Sequence, residues 1–156
     1  MSDVLTKQEL VVKLLELLSQ TDFDQEQSNT YVNRLLDPFK WEGVPYVEME
    51  NGTYIVTIYE RGMPMLEKKL KQTEMVIYWL LEDIIFTTVH VEMLKKYDVD
   101  NINTHLKYTS EVIQEMDRNV MNAFQQLGEP YLHWHQTGKR HELESMQPRG
   151  RDEGHD

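Results

Sequence analysis

The chain has 156 residues, 40% of them hydrophobic, with three Trp, eight Tyr and nine Met, enough for one packed core and unlike a disordered chain. It has no Cys, which excludes a disulfide framework, thiolate zinc sites, iron–sulfur clusters and a cysteine nucleophile. The net charge of −11 disfavours nucleic acid and anionic lipid as direct partners and makes a basic protein the natural complement, although plain solubility produces the same charge.

The first element is a helix. Thr6-Lys7-Gln8-Glu9 has the form of a capping box, and Leu10, Val11, Leu14, Leu15, Leu17 and Leu18 follow at helical spacing. Asp22, Asp24 and Glu26 form a polar link, and a second short helix is predicted over 27–36, stopped by Pro38. Strands are predicted over 44–50 and 53–60. Asn51-Gly52 between them is a strong hairpin signal, because both residues accept positive φ. Arg61-Gly62 gives a second turn, and 63–70 returns as a third strand whose edge is blunted by Lys68, Lys69 and Lys71.

Thr73 is the expected cap of a long, central helix running to about Lys96, with Val76, Ile77, Trp79, Leu80, Ile84, Val91 and Leu94 as its apolar positions. A last long helix is expected from near Asn101, through Ile102, Leu106, Thr109, Ile113, Met116, Val120 and Phe124 to Leu127. Gly128 ends it and Pro130 prevents continuation. Tyr131, Leu132 and Trp134 are expected to fold back on the core. From Gln136 the composition becomes that of a polar tail, flexible or partly helical near 139–146. The fold class is therefore α+β: N-terminal helices, a small antiparallel three-stranded sheet, two long packed helices and a tail. One domain over 1–135 is expected, with 136–156 as the tail.

The N-terminus lacks a basic region followed by an apolar run, and no segment reaches the ~18 apolar residues of a membrane span. A cytoplasmic protein is the expectation. Charge is uneven: residues 1–60 hold 11 acids and 4 bases, whereas 61–127 hold 10 acids and 8 bases. A charge-dependent function therefore points to the first 60 residues.

Catalytic patterns are scarce. There is no Gly-rich phosphate loop, no dinucleotide fingerprint and no serine elbow. His133, His135 and His141 lie near one another in sequence but have no further ligands in a defined pattern, so they are read as surface or terminal histidines and no metal or cofactor is expected. Asp83, Thr87 and His90 share one helix face. With Glu82 they form either an acid–base cluster or a hydrogen-bonded polar seam between helices, and the seam is the favoured reading. Glu60-Arg61-Gly62 is either a structural corner or a contact corner for a partner.

Pro45-Tyr46-Val47-Glu48, the strand ending Tyr59-Glu60-Arg61-Gly62, then Tyr78-Trp79-Leu80-Leu81-Glu82-Asp83 with Phe86-Thr87 and Glu92, and finally Gly128-Glu129-Pro130-Tyr131, together resemble the immunity protein 63 family of bacterial polymorphic toxin systems. The resemblance covers roughly residues 45–131. The chain departs from the family where an Arg pair is expected after the long helix, since 98–105 contains no Arg, and where an Ala-rich stretch is replaced by Thr88-Val89-His90-Val91.

The resemblance implies a non-enzymatic inhibitor that binds a cognate toxin, in many such systems a nuclease with a basic cleft. The expected contact residues are Asp22, Asp24, Glu26, Asp37, Glu42, Glu48 and Glu50, with Trp41 and Tyr46 as aromatic anchors. Glu60, Arg61, Gly62, Trp79, Glu82, Asp83 and Glu92 are family-motif positions, structural or contacting. A DNA-mimic inhibitor, or a small hydrolase using Glu82, Asp83 and His90, are the alternatives. Reversing several N-terminal acids is expected to weaken binding and leave the melting temperature nearly unchanged.

Overall fold

The computed structural model describes residues 5–37 and 43–138. The elements run α1 (Lys7–Leu18), α2 (Gln25–Asn33), a 3₁₀ turn (Arg34–Leu36), β1 (Tyr46–Glu50), β2 (Thr53–Glu60), β3 (Met63–Leu70), α3 (Thr73–Lys96), α4 (Ser110–Leu127) and α5 (Tyr131–Gln136). The α+β class expected from the sequence is what the chain forms.

The capping box of α1 is present in full. Glu9 N–H donates to Thr6 Oγ1 at 3.1 Å, and Thr6 N–H donates to Glu9 Oε1 at 2.8 Å. This fixes the start of a helix that buries Leu10, Val11, Leu14, Leu17 and Leu18. α2 begins two residues before the expected Gln27, because Asp24 acts as its N-cap and accepts from Glu26 N–H. It tightens into the 3₁₀ turn after Asn33 instead of continuing as α-helix to Leu36.

The sheet is antiparallel in the order β1-β2-β3. β1 starts at Tyr46, two residues later than expected, whereas β2 and β3 fall on the predicted spans. Asn51 (φ 53°) and Gly52 (φ 78°) make one tight turn, and Arg61 (φ 54°) and Gly62 (φ 77°) make the next. The register pairs Val47 with Val56 and Met49 with Tyr54, which puts these side chains on the core face. Tyr46, Glu48 and Glu50 therefore stand on the opposite face, with Ile55 and Thr57 of β2.

α3 supplies the centre of the core. Val76, Ile77, Tyr78, Trp79, Leu80 and Leu81 are six consecutive buried residues, so this part of the helix is covered on every side. A helical face spans only three or four positions in such a run, so the helix cannot sit at the surface. Gln72, without a side-chain cap bond, occupies the N-cap position, and Thr73 is the first helical residue. The Thr73 hydroxyl instead meets Tyr54 Oη at 3.1 Å, and Leu5 N–H donates to that same phenol oxygen at 2.6 Å. One buried tyrosine thus ties the sheet to the starts of α1 and α3.

α4 does not begin near Asn101. Residues 98–109 form a loop in which Asp98 (φ 55°) and Asn101 (φ 60°) take left-handed backbone conformations. The Asp100 carboxylate accepts from the backbone N–H groups of Ile102, Asn103 and Thr104 at 2.8–3.1 Å. This local bonding competes with helix, so the apolar spacing that runs through Ile102 is coincidental, and Ile102 is 77% exposed. Thr109 is the true N-cap, accepting from Val112 N–H at 3.2 Å. Gly128 (φ 83°) ends α4, as its position implied, and α5 folds back with Tyr131 buried and Leu132 and Trp134 packed against the core.

No helix among the described residues is long and apolar enough to cross a membrane. Trp79 is fully buried at the centre of α3. Trp79→Ala should lower unfolding free energy by about 3–5 kcal/mol through the cavity it leaves, measured as a reduced urea midpoint with an unchanged m-value.

Candidate functional site

The expected contact residues divide into separate groups. Tyr46, Glu48 and Glu50 alternate along β1 and share the sheet face turned away from the core, with both glutamates exposed. The Tyr46 ring meets Tyr59 edge-on with centroids 6.2 Å apart, and Lys7 Nζ sits 4.7 Å from the Tyr46 ring centroid. The aromatic anchor is therefore braced from β2 and from the start of α1.

Asp22, Asp24 and Glu26 cluster at the other end of α2, which with its 3₁₀ turn separates them from β1. Asp22 is held across the fold: Gln126 Nε2 donates to its carboxylate at 2.9 Å, and Asp22 N–H donates back to Gln126 Oε1 at 3.2 Å. Asp37 follows the 3₁₀ turn and is half-buried. Trp41 and Glu42 lie outside the described residues.

The family-motif positions serve different parts of the structure. Glu60, Arg61 and Gly62 are exposed at the β2–β3 turn, where the backbone needs positive φ at two successive positions. Trp79 is core. Asp83 lines a small cavity of about 20 Å³ with Arg34, Tyr31 and Tyr46. Glu92 is half-buried, and that burial raises its carboxyl pKa above the ordinary value while nearby Lys95 pulls it back.

Glu82 is the centre of a polar tie between α3 and α5. Tyr78 Oη donates to Glu82 Oε2 at 2.5 Å, and His135 Nδ1 lies 2.8 Å from the same oxygen. The His135 ring stacks flat on Phe124, with centroids 4.3 Å apart and planes 6° apart. The partner of Glu82 is thus a histidine of α5 that was read as a surface or terminal residue.

His90 faces elsewhere. It shares a 2.6 Å hydrogen bond with Tyr108 Oη, which also accepts from Asn101 Nδ2 at 2.9 Å, and its ring stacks on Phe86. Eight residues of helix put Glu82 and His90 about 12 Å apart along the axis of α3 and on different faces. The structure does not gather Glu82, Asp83 and His90 into one site; Asp83, Thr87 and His90 are each half-buried, with Asp83 on the cavity it shares with Tyr31 and Arg34 and His90 bonded to Tyr108. No group of three or more His, Asp or Glu side chains among the described residues is placed to hold a metal ion.

The residues the sequence did not single out as a site are Phe86 and Tyr108. Phe86 lies seven positions after Trp79 and so on the same side of α3, which makes the two indistinguishable in an apolar pattern. Trp79 is covered, and Phe86 is 51% exposed. Tyr108 lies in the loop that helical periodicity had assigned to α4.

That loop depends on a charged carboxylate. Three backbone donors hold the Asp100 pKa down to about 2, against 3.8 ordinarily. A carboxylate pKa lowered by folding stabilises the loop above about pH 4, and the contribution is lost as pH falls toward 2. The amides of Ile102, Asn103 and Thr104 should therefore lose hydrogen-exchange protection over that acidic window, and Asp100→Ala should remove the protection at neutral pH.

Against protein families, the model described as Immunity protein 63 matches residues 50–144, more than half of the chain. Neither curated proteins nor solved structures gave a match.

Proposed function

The chain belongs to the immunity protein 63 family, and from that membership we propose that it binds and neutralises a cognate secreted toxin domain with a basic, nucleic-acid-binding surface. Membership places it among the immunity proteins of toxin systems, which as a class are inhibitors.

The observation that carries the reading is where the matched segment begins. Residues 50–144 span β2, β3 and α3 to α5, whereas ten of the 11 acids of the first 60 residues lie outside that segment or, like Glu50, at its first position. A common apolar scaffold then presents a separate, acidic N-terminal surface to a particular toxin. Opposite potentials raise association rates toward about 10⁸–10⁹ M⁻¹s⁻¹ at low salt, which suits an inhibitor that must capture a lethal enzyme quickly.

Tyr46, Glu48 and Glu50 are the contact candidates that the fold presents on one face. Asp24 is a poorer test position, because it caps α2 and its loss costs about 1 kcal/mol of stability by itself. A reversal that includes Asp24 would therefore lower the melting temperature as well as any binding.

Purified full-length protein should bind the toxin domain encoded beside it in a 1:1 complex. Glu48→Lys with Glu50→Lys should slow association about ten-fold at low salt, flatten its salt dependence and leave the melting temperature unchanged, as followed by biolayer interferometry and thermal melts. An association rate indifferent to both salt and charge reversal would remove the acidic-surface reading. Competition by duplex DNA for the same toxin site would favour a DNA-mimic mode of inhibition.

A further inference from the structure

Beyond Leu81 the cover of α3 is partial, with Ile84, Ile85, Thr88, Val89 and Met93 buried and Phe86 exposed. At about 1.5 Å per residue its 24 residues extend some 36 Å, and only the part around 76–81 is buried all round. Beyond it, Phe86 is 51% exposed on the side where Trp79 was covered one heptad earlier.

Three rings run in a row from this exposed position. Phe86 and His90 stack with centroids 6.0 Å apart and planes 23° apart, and His90 and Tyr108 follow at 5.8 Å and 37°. Tyr108 is 48% exposed, yet it is not loose. Asn101 Nδ2 and His90 Nε2 both hold its phenol oxygen, and Asn101 Oδ1 accepts from Leu106 N–H at 2.8 Å. The row is thus a set of partly exposed rings held in position before any partner arrives.

The loop that carries Tyr108 holds Asp98 and Asp100 against Lys107 and His105, and Glu111 opens α4, so acids outnumber fixed cations in these flanking segments. Aromatic faces attract cations through their quadrupole, and a nearby excess of carboxylates adds to that attraction. Rigid aromatic side chains are also the commonest energetic centres of protein interfaces.

We propose that the Phe86–His90–Tyr108 row is a docking site for an arginine or lysine side chain on the basic face of the toxin. The site rests on the reading of the chain as a toxin-binding immunity protein and adds a contact on the family scaffold, apart from the acids of the first 60 residues. It divides the labour of recognition: carboxylates on β1 accelerate encounter, and the ring row slows dissociation.

The test uses the full-length protein and the toxin domain encoded beside it, with dissociation rate as the readout. Phe86→Ala and Tyr108→Ala should each speed dissociation about ten-fold or more, the size of an interface hot spot, with the melting temperature little changed for the exposed Phe86. Phe86→Leu keeps apolar bulk and removes the π-face, so it should behave like Phe86→Ala, while Phe86→Tyr should keep near wild-type binding. Dissociation within two-fold of wild type for Phe86→Ala and Tyr108→Ala would overturn the docking site and leave the immunity function standing. Failure of the wild-type protein to bind the toxin at all would overturn both. A wild-type dimer in sedimentation that Phe86→Ala converts to monomer would reassign the row to self-association and overturn the proposal.

Discussion

Everything in this fold follows from a run of six consecutive buried residues, Val76 to Leu81, in the first half of α3. A helix that is apolar around its whole circumference has no side that can face water. Each large side chain buried there contributes about 1.5–3 kcal/mol relative to exposure, so the chain must wrap the helix to fold at all. The sheet covers it from one direction, and α1, α2, α4 and α5 cover the rest. Tyr54 and Glu82 then fix the wrapping layers at either end of that run, one by binding the starts of α1 and α3, the other by joining α3 to α5.

The second half of α3 obeys a different rule. There Ile84, Ile85, Thr88, Val89 and Met93 stay buried, but the cover is no longer continuous around the helix and Phe86 becomes a surface ring. The two candidate contact regions differ in kind: one is a sheet face whose other side packs on the core, and the other is a ring row on α3 braced by a hydrogen-bonded loop.

Several local signals in the sequence were reliable, although Thr73 is the first helical residue of α3 and not its cap. Thr6 and Glu9 specify a capping box, Asn51-Gly52 and Arg61-Gly62 specify tight turns, and Gly128 specifies a helix end; each needs only a few neighbouring residues. The family resemblance was legible because its motifs fall in those elements and in α3. The start of α4 was not legible. Its apolar spacing continues through Ile102, and only the bonding of Asp100 to three successive amides, a competition between side chain and backbone, decides against helix. The site residues were harder still. Whether Phe86 is covered, whether His135 meets Glu82 and whether the N-terminal acids form one patch or several depend on pairings across the fold, which spacing along one strand or helix does not encode.

The mutual hydrogen bonds of Asp22 and Gln126 connect positions 104 apart in the chain. They tie the segment that precedes α2 to the last turn of α4, within the family-matched region. In entropic terms, the orientation of the Asp22 carboxylate is settled when the protein folds. Less side-chain freedom is left to lose when a partner docks, so more of the contact energy remains for affinity. A contact surface that included Asp22 would in this way take its rigidity from α4.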